Sequence, residues 1–151
     1  MATTTGCQIA LGVLVKQWFA SPEAGFTVPI AEANIKDYST TPTESSSSPN
    51  WIIIRAVATR PDSEVFDHTD LPARFAITLF SRVDKTEASR EAAERWINDA
   101  EEMLIKKLFE VGATGNWHEI AVVGSPRRDA HRMFHGSHRT SDVTIDVDKI
   151  N

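Results

Sequence analysis

At 151 residues, 41% hydrophobic and 25% charged, the chain has the length and balance of one ordinary folded domain, which excludes a disordered or membrane-embedded class. A formal net charge of −5 argues against a protein that grips nucleic-acid backbone over its whole surface. Cys7 is the single cysteine, so no intrachain disulfide can form and packing must hold the fold.

Met1 to Gly6 lacks the basic region that opens a secretory signal. The apolar stretch from Ile9 to Ala20 is interrupted by Lys16 and Gln17 and is too short to span a bilayer, so a soluble protein is expected. Gln8 to Ala20 predicts a helix with Leu11, Leu14, Val15 and Trp18 on one face. Thr4 or Thr5 could cap its start, and Ser21-Pro22 stops it. Phe26 to Glu32 alternates weakly and predicts a short strand, at an edge or interrupted, because Pro29 has no N–H to donate. Thr40 to Asn50, preceded by Ser39, is a low-complexity run of small polar residues and two prolines, and reads as a flexible loop within one domain.

Trp51 to Thr59 is rich in branched residues that fit a pleated surface and predicts a strand. Arg60 to Pro72 is an acidic, solvated connection carrying Asp62, Glu64, Asp67 and Asp70. Ala73 to Val83 alternates, with Phe75, Ile77 and Leu79 on one face and Ala76, Thr78 and Phe80 on the other. Two strands so joined pair most simply antiparallel.

A long amphipathic helix follows over residues 85–111. Asp84 and Glu87 have capping-box spacing, and Ala93, Trp96, Ile97, Ala100, Met103, Leu104 and Leu108 form an apolar stripe. Glu91–Arg95 and Glu102–Lys106 are spaced for favourable pairs, and Gly112 ends the helix. Trp117 to Val123 and Asp142 to Asp148 predict two closing strands, with Val143, Ile145 and Val147 facing the core. Gly124 to Ser141 between them reads as a long, flexible, basic and histidine-rich connection. The expected class is therefore α+β: a mixed or antiparallel sheet packed against one long helix, plus an N-terminal helix, as a single domain over residues 1–151 with flexible loops at about 39–50 and 124–141.

No pattern in the chain calls for catalysis. Cys7 has no histidine near it in sequence and reads as structural, and there is no nucleophile elbow, phosphate-binding glycine loop or dinucleotide fingerprint. His131, His135 and His138 are spaced H-x3-H-x2-H and could hold a borderline metal, but Gly136 and Ser137 interrupt the run and an exposed loop is the favoured account. The expectation is a non-enzymatic protein without metal or cofactor. Arg127, Arg128, Arg132 and Arg139 make the same stretch basic, and Met133 and Phe134 add apolar anchors. It could touch phosphates, or dock on an acidic neighbour such as the Asp62, Glu64 and Asp67 stretch of another subunit. The net negative charge favours protein contact over nucleic acid, and a merely solvated stretch is the third account.

The order of elements and several strings resemble the tail-terminator (tail-completion) proteins of long-tailed bacteriophages: an opening helix, a polar loop, a strand like PNWIIIR (Pro49 to Arg55), an acidic loop, a strand like ARFAITLFSRV, a long helix like EAAERWINDAEEMLIKKLF, and closing strands like DVTIDVD. The resemblance covers nearly the whole chain from Gln8. The chain departs from that pattern in its Arg/His stretch and its Ser/Thr-rich stretch. The resemblance implies a virion protein, assembled in the host cytoplasm, that forms a homohexameric ring on the tail tube, stops its polymerisation and receives the head-side neck protein. Genome DNA passes through such a ring without specific binding. Whether a sheath is a further neighbour stays open. Another head–tail joining or head-closure neck protein is the nearest alternative, and a small metal- or nucleic-acid-binding module using residues 125–140 is a third.

Overall fold

The computed structural model describes residues 4–43, 48–58, 73–112, 120–133 and 136–147, and at 58, 112, 129–133, 136 and 137 the main chain alone. The order is α1 (Thr4–Ala20), a 3-10 turn (Glu32–Asn34), β1 (Ile35–Lys36), β2 (Asn50–Ala58), β3 (Ala73–Val83), α2 (Glu87–Gly112), β4 (Ile120–Val122), β5 (Arg127–Met133) and β6 (Gly136–Val147). The six strands form one mixed sheet, β1-β2-β3-β6-β4, with β5 also paired to β6. Among the described strands only β1 and β2 run parallel, and the other pairs are antiparallel. The expected α+β class, with a mixed sheet and two helices, is the one observed.

The core forms where one face of the sheet meets both helices. Ile52 and Ile54 of β2, Phe75, Ile77 and Leu79 of β3, and Val143, Ile145 and Val147 of β6 share that face and cluster with the helices. Strand pairing sets them side by side, Ile54 against Ile77 and Ile77 against Val143. The alternation of β3 over residues 73–83 therefore reads out directly as the two sides of the sheet. From α2 the whole expected stripe is buried: Ala93, Trp96, Ile97, Ala100, Met103, Leu104 and Leu108.

Several local expectations are corrected. α1 begins at Thr4 rather than Gln8, and its buried row is Cys7, Leu11, Val15 and Phe19, one residue every four, while Leu14 and Trp18 are only partly buried. Cys7 lies at 0% exposure within that row, as a structural cysteine should. The N-cap of α2 is Thr86: its Oγ1 accepts the Ser89 N–H at 3.2 Å, whereas Asp84 accepts from the Thr86 N–H and hydroxyl. Both residues are good cap types, and the hydrogen bonding decides between them. The Thr86 hydroxyl and N–H hold the Asp84 carboxyl below its ordinary range. Lys106 reaches across to Glu23 at 2.6 Å instead of pairing with Glu102, while Glu91–Arg95 forms as spaced.

Residues 26–32 make no strand. Val28 is buried, but Pro29 cannot donate, and its carbonyl is taken by the side chain of Asn50 at 2.8 Å. The edge strand is instead the two-residue β1 just after it. The largest correction concerns residues 124–141: most of this stretch is not a loop but the hairpin β5–β6, and β6 pairs with β3 along its whole length from Ala73–Val147 to Val83–Ser137. Of the expected strand at 117–123, β4 is observed over Ile120–Val122. Trp117, the acidic stretch with Asp62, Glu64 and Asp67, and residues Phe134 and His135 lie outside the described residues. Among those described, no helix is long and apolar enough to cross a membrane.

Candidate subunit interface

The sequence singled out the basic stretch Arg127 to Arg139, and in the fold it becomes the hairpin at one margin of the sheet. Strand pairing sets Arg127 against Asp142, Arg128 against Ser141, Asp129 against Thr140, Ala130 against Arg139 and His131 against His138. The two-residue period then divides the basic residues between the two faces. Arg128 falls on the face shared with α2. There it makes a bidentate pair with Glu101, Nε at 3.0 Å and Nη2 at 2.9 Å, and the hydroxyl of fully buried Ser141 donates to the same carboxylate at 2.6 Å.

Glu101 is the anchor of the hairpin. Burial pushes its carboxyl up, but the hydrogen bonds from Arg128 and Ser141 and the Arg128 charge outweigh that and hold it below the usual 4.5. Arg128 is raised correspondingly, chiefly by the Glu101 hydrogen bond. The fork geometry of guanidinium on carboxylate fixes β5 against α2 as well as neutralising both charges. Arg128 is thus engaged within the molecule although, like Arg127 and Arg139, it lies exposed at the surface.

The opposite face of the sheet carries cross-strand charge pairs. Arg55 lies 3.6 Å from Asp142, and Thr78 bridges them, accepting from Arg55 and donating to Asp142. Arg74 clasps Asp146 with two hydrogen bonds, at 2.8 and 3.1 Å. His138 lies on this face too, at 1% exposure, its ring edge-on to Phe80 with centroids 6.0 Å apart. Of the three candidate metal histidines, only His138 has a described side chain, and it is packed in the sheet rather than presented on a loop. No group of three metal-ligating side chains occurs among the described residues.

The other margin of the sheet is built differently. Arg82 donates its N–H to the Pro49 carbonyl at 2.9 Å, which makes Asn50–Ser81 a non-hydrogen-bonded pair and turns the peptide groups of Asn50, Ile52 and Ile54 toward the margin. Each is covered. The Asn50 carbonyl accepts from Asn34 Nδ2 at 3.1 Å, Ile52 is matched by β1, and the Ile54 carbonyl accepts from Gln8 Nε2 at 2.9 Å. A register shift between Ala56 and Ala58 then breaks the ladder, leaving Val57 exposed. Nothing in the sequence patterns announced these side-chain plugs. Sequence reasoning missed Gln8, Asn34 and Asn50 because each bond joins residues at least sixteen apart.

Between the start of α2 and this margin lies an open cleft lined by Thr27, Asn50, Ser81, Asp84, Trp96 and Asp99. Asn50 spans its floor: its Nδ2 donates to Pro29, and its Oδ1 accepts the Ser81 hydroxyl at 2.7 Å. The buried Trp96 Nε1 makes no hydrogen bond among the described residues. Its lining joins the segment of Thr27 and Pro29, the β2–β3 pair and the start of α2, so it is a seam between these segments. Compared with models of known protein families and with characterised proteins, the chain matches none.

Proposed function

We propose that this protein is a structural ring subunit, a tail-terminator-like protein that closes the end of a phage tail tube and offers a platform to the head-side neck protein. The observation that supports this reading best is the order of the elements. An opening helix, a strand, an acidic connection, a second strand running within three residues of a long helix, and closing strands are the sequence of parts that the family resemblance implies. The chemistry is non-covalent. A closed ring needs a heterologous contact, in which one surface of a subunit meets a different surface of the next.

The binding-module alternative is weakened at one point. A phosphate-gripping stretch needs free guanidiniums, and Arg128 is held bidentately by Glu101. The test is native mass spectrometry with negative-stain imaging of the purified chain. A six-fold ring is expected, and a monomer at every concentration up to the highest attainable would sink the reading.

A further inference from the structure

Both helices lay one face on the sheet, but their outward faces differ. That of α2 is charged, with Arg90, Glu91, Glu94, Arg95, Glu102 and Lys106 exposed, as a solvated face should be. The exposed positions of α1 are Thr5, Gly6, Ile9, Val13, Gln17 and Ala20, and none carries a charge. Ile9 and Val13 are 51% and 50% exposed, one helical turn apart. Lys16 is the only charged residue of the helix.

Two further exposed apolar side chains flank α1. Gln8 bonds to Ile54, three residues before Val57, and Gly12 lies against Asp37, one residue before Tyr38. Exposed apolar residues scattered singly are ordinary, but four of the five large ones among the described residues gather around this helix. A helix that is apolar on every side is built for burial on every side.

The composition of the face decides what covers it. Without charge, it offers nothing to nucleic-acid phosphates or to a charged protein surface. A helix that lies on lipid carries Lys and Arg along its polar side, and α1 has Lys16 alone in a chain of net charge −5. A second copy of α1 fits residue by residue. Thr5, Ile9, Val13 and Gln17 form one row at four-residue spacing, apolar at the centre and hydrogen-bonding at the ends. A two-fold axis midway between Ile9 and Val13 sets each Ile9 against the Val13 of the other copy, and each Thr5 against its Gln17. No charge then faces a like charge, since Lys16 falls level with Gly6 and keeps its ammonium in water.

We propose that the outward face of α1 is where a second copy of this chain docks, the two α1 helices running antiparallel about that axis. The sheet edge beside α1 is closed by Gln8 and β1, so the contact is side chain on side chain and not an added strand. A strip about 25 Å long and about 10 Å wide is at the low end of specific interfaces, so pairing should be reversible and concentration-dependent. This contact is independent of the ring reading: the same axis pairs single subunits or whole rings.

The experiment is sedimentation equilibrium and native mass spectrometry of the full chain across concentration, for wild type, Ile9→Glu and Val13→Lys, with melting followed in parallel. Glutamate and lysine favour helix more than isoleucine and valine, so both variants should fold. Each alone buries an unpaired charge twice in the pair and should weaken pairing by about tenfold or more. Mixed in equal amounts, they set the new carboxylate opposite the new ammonium on one side of the axis and Val13 against Ile9 on the other. A mixed pair should therefore form where neither variant pairs with itself. Folded single variants that pair like wild type, or that lose pairing without recovery in the mixture, overturn the proposal. So does a wild type that stays unpaired at every concentration, and one that instead sediments with phosphatidylcholine vesicles gives the face to lipid. Six-fold rings that never pair overturn this contact and leave the ring reading intact, whereas a wild type that stops at two subunits supports the contact and sinks the ring reading.

Discussion

The two margins of the sheet handle the same physical hazard in opposite ways. Any edge strand exposes unpaired peptide groups to chance pairing. At the β1–β2 margin those groups are covered one by one, by Asn34, by a two-residue parallel strand and by Gln8, and a bulge ends the ladder. At the β5 margin the strand is held firmly from behind, through Arg128 and Ser141 on Glu101, while its outer side is left with a basic composition. A margin built to stay single and a margin built to be held in place are different devices. The contrast is what a subunit needs if it joins its neighbours by one edge only.

The closed margin breaks most severely at Asn50. Its amide staples Pro29 to the sheet and receives Ser81, and its own main-chain carbonyl holds Asn34, all in a nearly dry setting. Asn50→Ala leaves the Pro29 carbonyl and the Ser81 hydroxyl short of a partner, for an expected loss of about 3 kcal/mol. Urea unfolding should show it as a lower midpoint with an unchanged slope. A loss under about 0.5 kcal/mol would mean that water replaces the amide without cost.

Gly12 is the next point of weakness on the same side. A Cβ there would sit 2.7 Å from the Asp37 Cβ, closer than real carbon atoms approach, so α1 must shift away from the end of β1. Gly12→Ala gains helix propensity yet should destabilise by roughly 1–2 kcal/mol through overpacking. Hydrogen exchange at Ile35 and Lys36 should rise with it. A more stable Gly12→Ala protein is the outcome that refutes this account.

The open margin is sensitive to pH. Glu101 has a lowered carboxyl pKa in the folded protein, so its contribution is fully present above the unfolded value near 4.5 and is lost as pH falls through the folded value. Glu101→Gln keeps the shape but loses the ion pair, and should cost about 1.5 kcal/mol near neutral pH. The gap between the two proteins should then narrow on acidification below the ordinary glutamate range. Chemical denaturation across pH 7 to 3 checks this, and a gap that holds constant to the acid end contradicts it.

How far each margin could be read from sequence differs for the same physical reason. The α2 stripe and the alternation of β3 were legible because they repeat with the period of their own element, and burial follows the repeat. β5 and the first half of β6 were not, because their strand character is imposed by pairing with the long β3, and RRDAHRM carries no apolar alternation. The basic character of Arg127, Arg128 and Arg132 was legible, but not that Arg128 is engaged by Glu101, twenty-seven residues away. β1 was invisible for a related reason: two residues, paired parallel to a distant strand, leave no periodic trace. The plugs Gln8 and Asn34 are ordinary polar residues until the fold brings main-chain carbonyls to them.

Gln8 offers the smallest energetic effect and the sharpest structural one. Its amide is the sole described cover of the Ile54 carbonyl on the outward side of β2, at 2.9 Å. Gln8→Ala removes one partly buried hydrogen bond, worth about 1 kcal/mol or less. The freed carbonyl lies between β1 and the bulge, next to exposed Val57. With the plug gone, the closed margin gains part of the template that the β5 margin already has. The expected result is a near-wild-type melting temperature together with new association, seen in sedimentation as larger species than the wild type forms at the same concentration. If Gln8→Ala associates no more than wild type, then β1 and the bulge suffice to close this edge, and the amide serves only to seat α1 on the sheet.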